Sequence, residues 1–150
     1  MNANFRLALV AAMLATALPA LAAWTELRRN DKQRLSIDTA SVKKKGAETS
    51  FEYLVDFREV QGEAATGVYR SVVVRAAIRC KDRTISVRES EVFPGNEAKG
   101  TSLGIRQSSK EEARFNAIEK GSSDVELYDR VCKAGARPAA KPAEPPGKKG

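Results

Sequence analysis

The chain contains no histidine and only two cysteines. Without histidine there can be no Ser-His-Asp triad, no Cys-His pair and no imidazole-ligated zinc. Two thiols are too few for a four-thiolate metal site, and Cys80 and Cys132 lie too far apart in sequence for a redox C-x-x-C motif. Gly95 and Gly100 have the spacing of a phosphate loop, but Thr101 stands where that loop requires lysine. Neither a cofactor nor a metal site is expected. Only one apolar run is long enough to raise the question of a membrane span, and it lies at the start.

The 150 residues suit one domain, because domains commonly hold about 100–150 residues. Residues 1–22 read as a secretory signal peptide. Arg6 supplies the positive start, Leu7 to Leu18 an uncharged apolar run, Pro19 a break and Ala20-Leu21-Ala22 a small-residue cleavage site. A transmembrane helix needs about 20 apolar residues, more than this run provides. No cysteine lies near the cleavage site, so a lipid anchor is not expected any more than a transmembrane one, and the product should be periplasmic or secreted.

The formal charge of +7 is unevenly spread. Residues 23–132 are close to neutral. The segment 134–150 carries Arg137, Lys141, Lys148 and Lys149 against Glu144, together with Pro138, Pro142, Pro145 and Pro146, and has no large apolar residue. Such a composition cannot offset the entropy of ordering, so this Ala/Pro/Lys tail is expected to be disordered. It serves either as a solvated spacer or as an electrostatic tether to an anionic envelope polymer. Nucleic acid is not an expected partner, since the body has no recognised motif and its bases are interleaved with acids.

The body, residues 23–133, reads as strands followed by one helix. Trp24 to Arg29 and Arg34 to Asp38 are short strand candidates, and Lys43 to Gly46 looks like a turn. Between Ser50 and Val60, Phe51, Tyr53, Val55 and Phe57 alternate with Glu52, Asp56 and Arg58, and Leu54 alone breaks the polar row. Residues 61–67 read as a loop. Val68 to Cys80 is the longest candidate, with Val72, Val74, Ala76 and Ile78 on one row and Tyr69, Ser71, Arg75 and Arg79 on the other. Lys81-Asp82 is short enough for a hairpin into Arg83 to Phe93. Residues 94–104 read as a loop, residues 105–113 are weakly patterned, and Phe115 to Ile118 is a candidate last strand. Short connections between successive strands imply an antiparallel sheet.

Ser123 and Glu126 have capping-box spacing, and Val125, Tyr128 and Cys132 form an apolar stripe with Leu127 and Val131 beside it. A helix from Asp124 to Lys133 is therefore expected. Cys80 ends the apolar row of the longest strand and Cys132 lies on the helix stripe. In an oxidising compartment a Cys80–Cys132 disulfide would pin the helix onto one sheet face. The alternative is two free buried thiols. The fold class is α+β: an antiparallel sheet of about six strands with a C-terminal helix packed on one face and disulfide-linked to it.

This arrangement resembles the surface-adhesin protein E-like family of small exported bacterial proteins. The resemblance rests on Trp24, on Ile37-Asp38-Thr39-Ala40-Ser41-Val42, on Cys80 at a strand end, on the glycine-containing loop after the next strand, and on Gly121-Ser122-Ser123 before a helix bearing Val131-Cys132. It implies the same disulfide-linked sheet and helix, and adhesion by binding host or matrix proteins. It carries over no binding residues.

Three functions compete at this level. The first is a non-catalytic envelope binding module, for which Tyr69, Arg75 and Arg79 form a candidate interaction patch, since Tyr and Arg are common interface anchors. The alternative for those residues is an ordinary solvated face. The second is a soluble periplasmic accessory or structural protein without adhesin activity, whose sheet edges are free to pair two copies into a homodimer. The third is an enzyme using carboxylates such as Asp38, Asp56 or Glu89, although no spacing brings any two of them together.

Overall fold

The computed structural model describes residues 23–64 and 67–133. The segments expected to be a signal peptide, residues 1–22, and a disordered tail, residues 134–150, lie outside the described residues. A meander of long antiparallel strands forms one sheet in the order β1-β2-β3-β4-β5-β6. The strands are β1 (Trp24–Arg29), β2 (Gln33–Lys45), β3 (Glu48–Glu63), β4 (Gly67–Arg79), β5 (Thr84–Phe93) and β6 (Gly104–Gln107). A two-residue β7 (Asn116–Ala117) pairs with the start of β5. The chain ends in α1 (Asp124–Tyr128), which widens into a π-helical turn over Asp129–Lys133.

Apolar alternation sets the face that meets the helix. Leu35 and Ile37 of β2, Phe51 of β3, Ala76 and Ile78 of β4 and Ile85 of β5 are buried with Ile118, Leu127 and Val131 in one cluster. Leu127 is 1% exposed. Burying such a side chain contributes about 1.5–3 kcal/mol, and an isolated ten-residue helix would be marginal without that contact. The helix is also fixed covalently. Cys80 and Cys132 are bonded, with S–S 2.06 Å and Cα–Cα 5.6 Å. Tyr128 Oη donates to the Cys80 carbonyl at 3.1 Å, and the Arg83 guanidinium lies 4.5 Å from the Tyr128 ring centroid.

The strands are longer than the pattern suggests because they are bulged, not broken. The Lys43–Lys45 turn is in fact the end of β2, and the chain reverses at Gly46-Ala47. Gly46 has φ +63°, a conformation open to glycine at the first position of a tight hairpin turn. Asp38 pairs with Glu52 and Lys43 with Ser50, so extra β2 residues bulge out between them. Asp38 Oδ1 accepts from the Ala40 amide at 2.9 Å, and Ser41 Oγ donates to the Asp38 carbonyl at 2.6 Å while accepting from the Glu52 amide at 2.7 Å. A second bulge lies between Asp56 and Gln61, so Gln61 to Glu63 are strand and not loop. The weakly patterned segment contains β6, which pairs with β5 from Val92↔Gly104 to Glu89↔Gln107.

The helix start also differs from expectation. Ser123 is itself in helical conformation and its side chain makes no capping bond. The Glu119–Ser122 turn takes that place: Ser122 Oγ donates to the Glu119 carbonyl at 2.8 Å, and the Val125 amide donates to the Ser122 carbonyl at 3.3 Å.

The second face of the sheet is covered in its middle. Leu54, Asp56, Ser71, Val73 and Ala77 are all buried there. The 94–100 loop folds back over this face. Ser71 Oγ donates to the Gly95 carbonyl at 2.6 Å and accepts from the Ala98 amide at 3.2 Å. Asp56 Oδ1 accepts from the Glu97 amide at 2.7 Å. Arg34 closes the staple, bonding Asp56 Oδ2 through Nε at 3.1 Å and Glu97 through Nη2 at 3.1 Å. Sharing those carboxylates, the Asp56 hydrogen bond above all, raises the Arg34 pKa above its ordinary value.

Candidate interaction surface

The candidate patch lies on the face away from the helix, where the loop cover gives out. Arg75 and Glu52 face each other across β4 and β3, and Arg75 and Glu89 across β4 and β5. The register alone therefore sets an arginine between two carboxylates. Arg75 Nε bonds Glu52 Oε1 at 2.8 Å, and its Nη1 bonds Glu89. One pleat repeat further on the same row is Ala77, and then Arg79, whose Nη2 bonds Glu48 Oε1 at 2.7 Å. Arg88 sits at a β5 bulge between the Arg75↔Glu89 and Ala76↔Val87 pairs and reaches Glu48 Oε2 at 3.5 Å.

Phe115, half-buried, completes the group. The Arg79 guanidinium lies 3.9 Å from its ring centroid and that of Arg88 5.2 Å. Each cation on an aromatic ring adds about 0.5–1 kcal/mol at exposed sites. The three arginine side chains remain 40–46% exposed. Beside them a shallow groove is lined by Ser50, Glu52, Arg75, Ala77 and Arg88 among others. The surface thus presents flat guanidinium planes and part of an aromatic ring, with carboxylates holding the cations in place.

Tyr69 is on the same strand but not in this group. Six residues separate it from Arg75, about 20 Å along a strand. Its ring packs edge-on against Phe57, with centroids 6.0 Å apart. The structure brings Arg75 and Arg79 together and adds Arg88 and Phe115, which sequence reading did not single out. The bulge that turns Arg88 toward this face leaves no alternation signal, and Phe115 arrives from a polar segment.

The carboxylates considered for catalysis are each engaged elsewhere. Asp56 holds the loop staple, Glu89 holds Arg75, and Asp38 accepts a bond within its own bulge. Two groups titrate away from their ordinary values near the helix. Burial pushes the Tyr53 phenol up, and the Asp124 carboxylate adds to that shift. Burial also raises the Asp124 carboxyl, with the Glu126 charge a smaller cause. Neither lies beside the arginines in the strand register. No helix among the described residues is long and apolar enough to cross a membrane.

The family model described as surface-adhesin protein E matches residues 24–133. The solved structure of Haemophilus influenzae protein E superposes with a TM-score of 0.56 at 12% sequence identity, covering 74% of this chain and 84% of that one. At that identity the likeness is one of fold. No curated protein matches the chain in sequence.

Proposed function

The chain belongs to the surface-adhesin protein E family, and on that premise we propose that it is an exported, non-catalytic binding module of the cell envelope. Its ligands are host or matrix proteins, engaged through the open sheet face that carries Arg75, Arg79, Arg88 and Phe115. The observation that carries this reading is the pair of half-exposed arginines, Arg79 and Arg88, on the Phe115 ring, with half-exposed Arg75 two positions of the same row away, the residue types that dominate interface energetics. Their carboxylate partners pre-order the guanidinium planes, so less side-chain entropy is lost on binding. Tyr69 joins the surface for a ligand that extends along β4.

The second reading is a soluble periplasmic accessory protein without adhesin activity. It is favoured by the sequence around the expected cleavage site, Ala20 to Trp24, which has no cysteine for acylation. The outer edge of β6 has no strand beside it among the described residues, and Leu103 and Ile105 there are 51% and 58% exposed. In either reading this edge could pair two copies, which light scattering would register. Proteolysis of intact cells separates the two. Digestion from outside supports adhesion, and protection until the outer membrane is opened supports the periplasmic role.

A further inference from the structure

The two hairpin turns at one end of the sheet gather positive charge around a cleft that adjoins the arginine face at Arg79. In an antiparallel meander the β2–β3 and β4–β5 turns fall at the same end. The first brings Lys43, Lys44 and Lys45, and the second brings Lys81, Asp82 and Arg83. Among the described residues, none of these cations has a carboxylate within ion-pairing distance. Asp82 is the one acid in either turn. Arg79, nearby, is already held by Glu48, and Lys133 by Asp129 at 2.7 Å.

Between the turns and the end of the helix lies a cleft of about 630 Å³, within the range of small-molecule sites. Val42, Ala47, Val131 and the Cys80–Cys132 disulfide supply its apolar lining, and its polar side holds three cations, Lys44, Lys81 and Arg79, against one acid, Asp82. The disulfide keeps the helix end, and with it one wall, in place.

We propose that this end docks an anionic phospholipid, its phosphate held by Lys44 and Lys81 and the first part of an acyl chain resting on the apolar lining. Three considerations select this occupant. A second copy of the chain would bring an equally basic end. The chain's own segment after Lys133 carries Arg137, Lys141, Lys148 and Lys149 against Glu144, so it too is repelled. A polyanionic saccharide or acidic protein would satisfy the lysines but leave the apolar lining wet. An anionic amphiphile matches both halves. The cleft shares Arg79 with the arginine face, but Lys44 and Lys81, which carry this proposal, take no part in the adhesin reading.

The test uses the oxidised full-length exported protein and two probes. The first is a short-chain phosphatidylglycerol below its micelle concentration, followed by calorimetry. Saturable one-site binding is expected, and binding only to aggregated lipid or to heparin would overturn the proposal. The second is vesicle co-sedimentation at low salt, comparing phosphatidylglycerol with phosphatidylcholine. K44S/K81S should weaken binding to phosphatidylglycerol vesicles roughly twenty-fold, a few-fold per lysine removed. K32S/R58S, which removes two cations away from these turns, should leave it unchanged. Equal losses in both variants would mean diffuse electrostatics and refute a defined site. Retention of the disulfide by mass and of the thermal transition shows that each variant is folded.

Discussion

Removing the Cys80–Cys132 bond is the perturbation whose cost follows most directly from the structure. The cysteines are 52 residues apart, and closing a loop of that length in the unfolded chain removes about 14 cal/mol/K, or about 4 kcal/mol at 25 °C. Domains of this size are stable by only about 5–15 kcal/mol. Losing the bond also releases a helix too short to persist alone, and with it the cover over Phe51, Ile78 and Ile85. C80A/C132A, and the parent treated with reductant, should each lose about 4 kcal/mol. That corresponds to a fall of roughly 15–30 °C in Tm for a domain of about 100 residues. Trp24 is the only tryptophan and sits half-buried at the start of β1, so its fluorescence in a urea titration reads the sheet. Hydrogen exchange at Leu127 and Val131 reads the helix. Both should shift together. A loss below about 1 kcal/mol, with helix amides still protected, would refute the argument that the disulfide holds the helix to the sheet.

Leu127→Ala removes a fully buried side chain from the helix–sheet contact and should cost about 2–5 kcal/mol in urea unfolding; a change under 1 kcal/mol would mean the helix contributes little to the core. Asp56→Ala strips the partner from Arg34 and from the Glu97 amide, and should cost about 2–3 kcal/mol with faster exchange at the Gly95 and Lys99 amides, whose bonds close the 94–100 loop. The Asp124 pKa is raised in the folded protein, so the native state holds this proton more firmly than the unfolded chain. The resulting penalty is absent below the ordinary Asp value, near 3.9, and grows as pH rises through the folded pKa. Asp124→Asn should therefore be the more stable form at pH 7, with the difference closing toward pH 3 in thermal scans; an advantage that instead grew on acidification would contradict the burial account.

Much of this fold was legible because period-two alternation survives in the residues that face the helix. Phe51 and Ile78 could each be placed on the apolar row of its own strand before any coordinates, and the two cysteines marked where helix and sheet meet. The bulges were not legible. Asp38-Thr39-Ala40-Ser41 looks like the end of a strand because its side chains bond their own backbone, which is also how a turn reads. The burial of Asp56 and Ser71 was hidden for another reason. Their cover is a loop folding back from residues 94–100, and an Asp–Arg pair with a serine looks like a solvated row until that loop is in place. Of the candidate surface, alternation put Arg75 and Arg79 on one row with Tyr69, but strand length separates Tyr69 from them. Arg88 and Phe115 join through a bulge and a polar connection, neither of which leaves a periodic trace.

The central claim is that the arginine face binds protein ligands. Biolayer interferometry of the oxidised protein against a panel of extracellular-matrix proteins tests it most directly, comparing the parent with R75S/R79S and with K32S/R58S. Each exposed ion pair lost in R75S/R79S should cost no more than about 1 kcal/mol of stability, so folding is retained. The account predicts saturable binding to at least one matrix protein, weakened tenfold or more by R75S/R79S and unaffected by K32S/R58S. Binding that is absent across the panel, or that survives R75S/R79S unchanged, would contradict it.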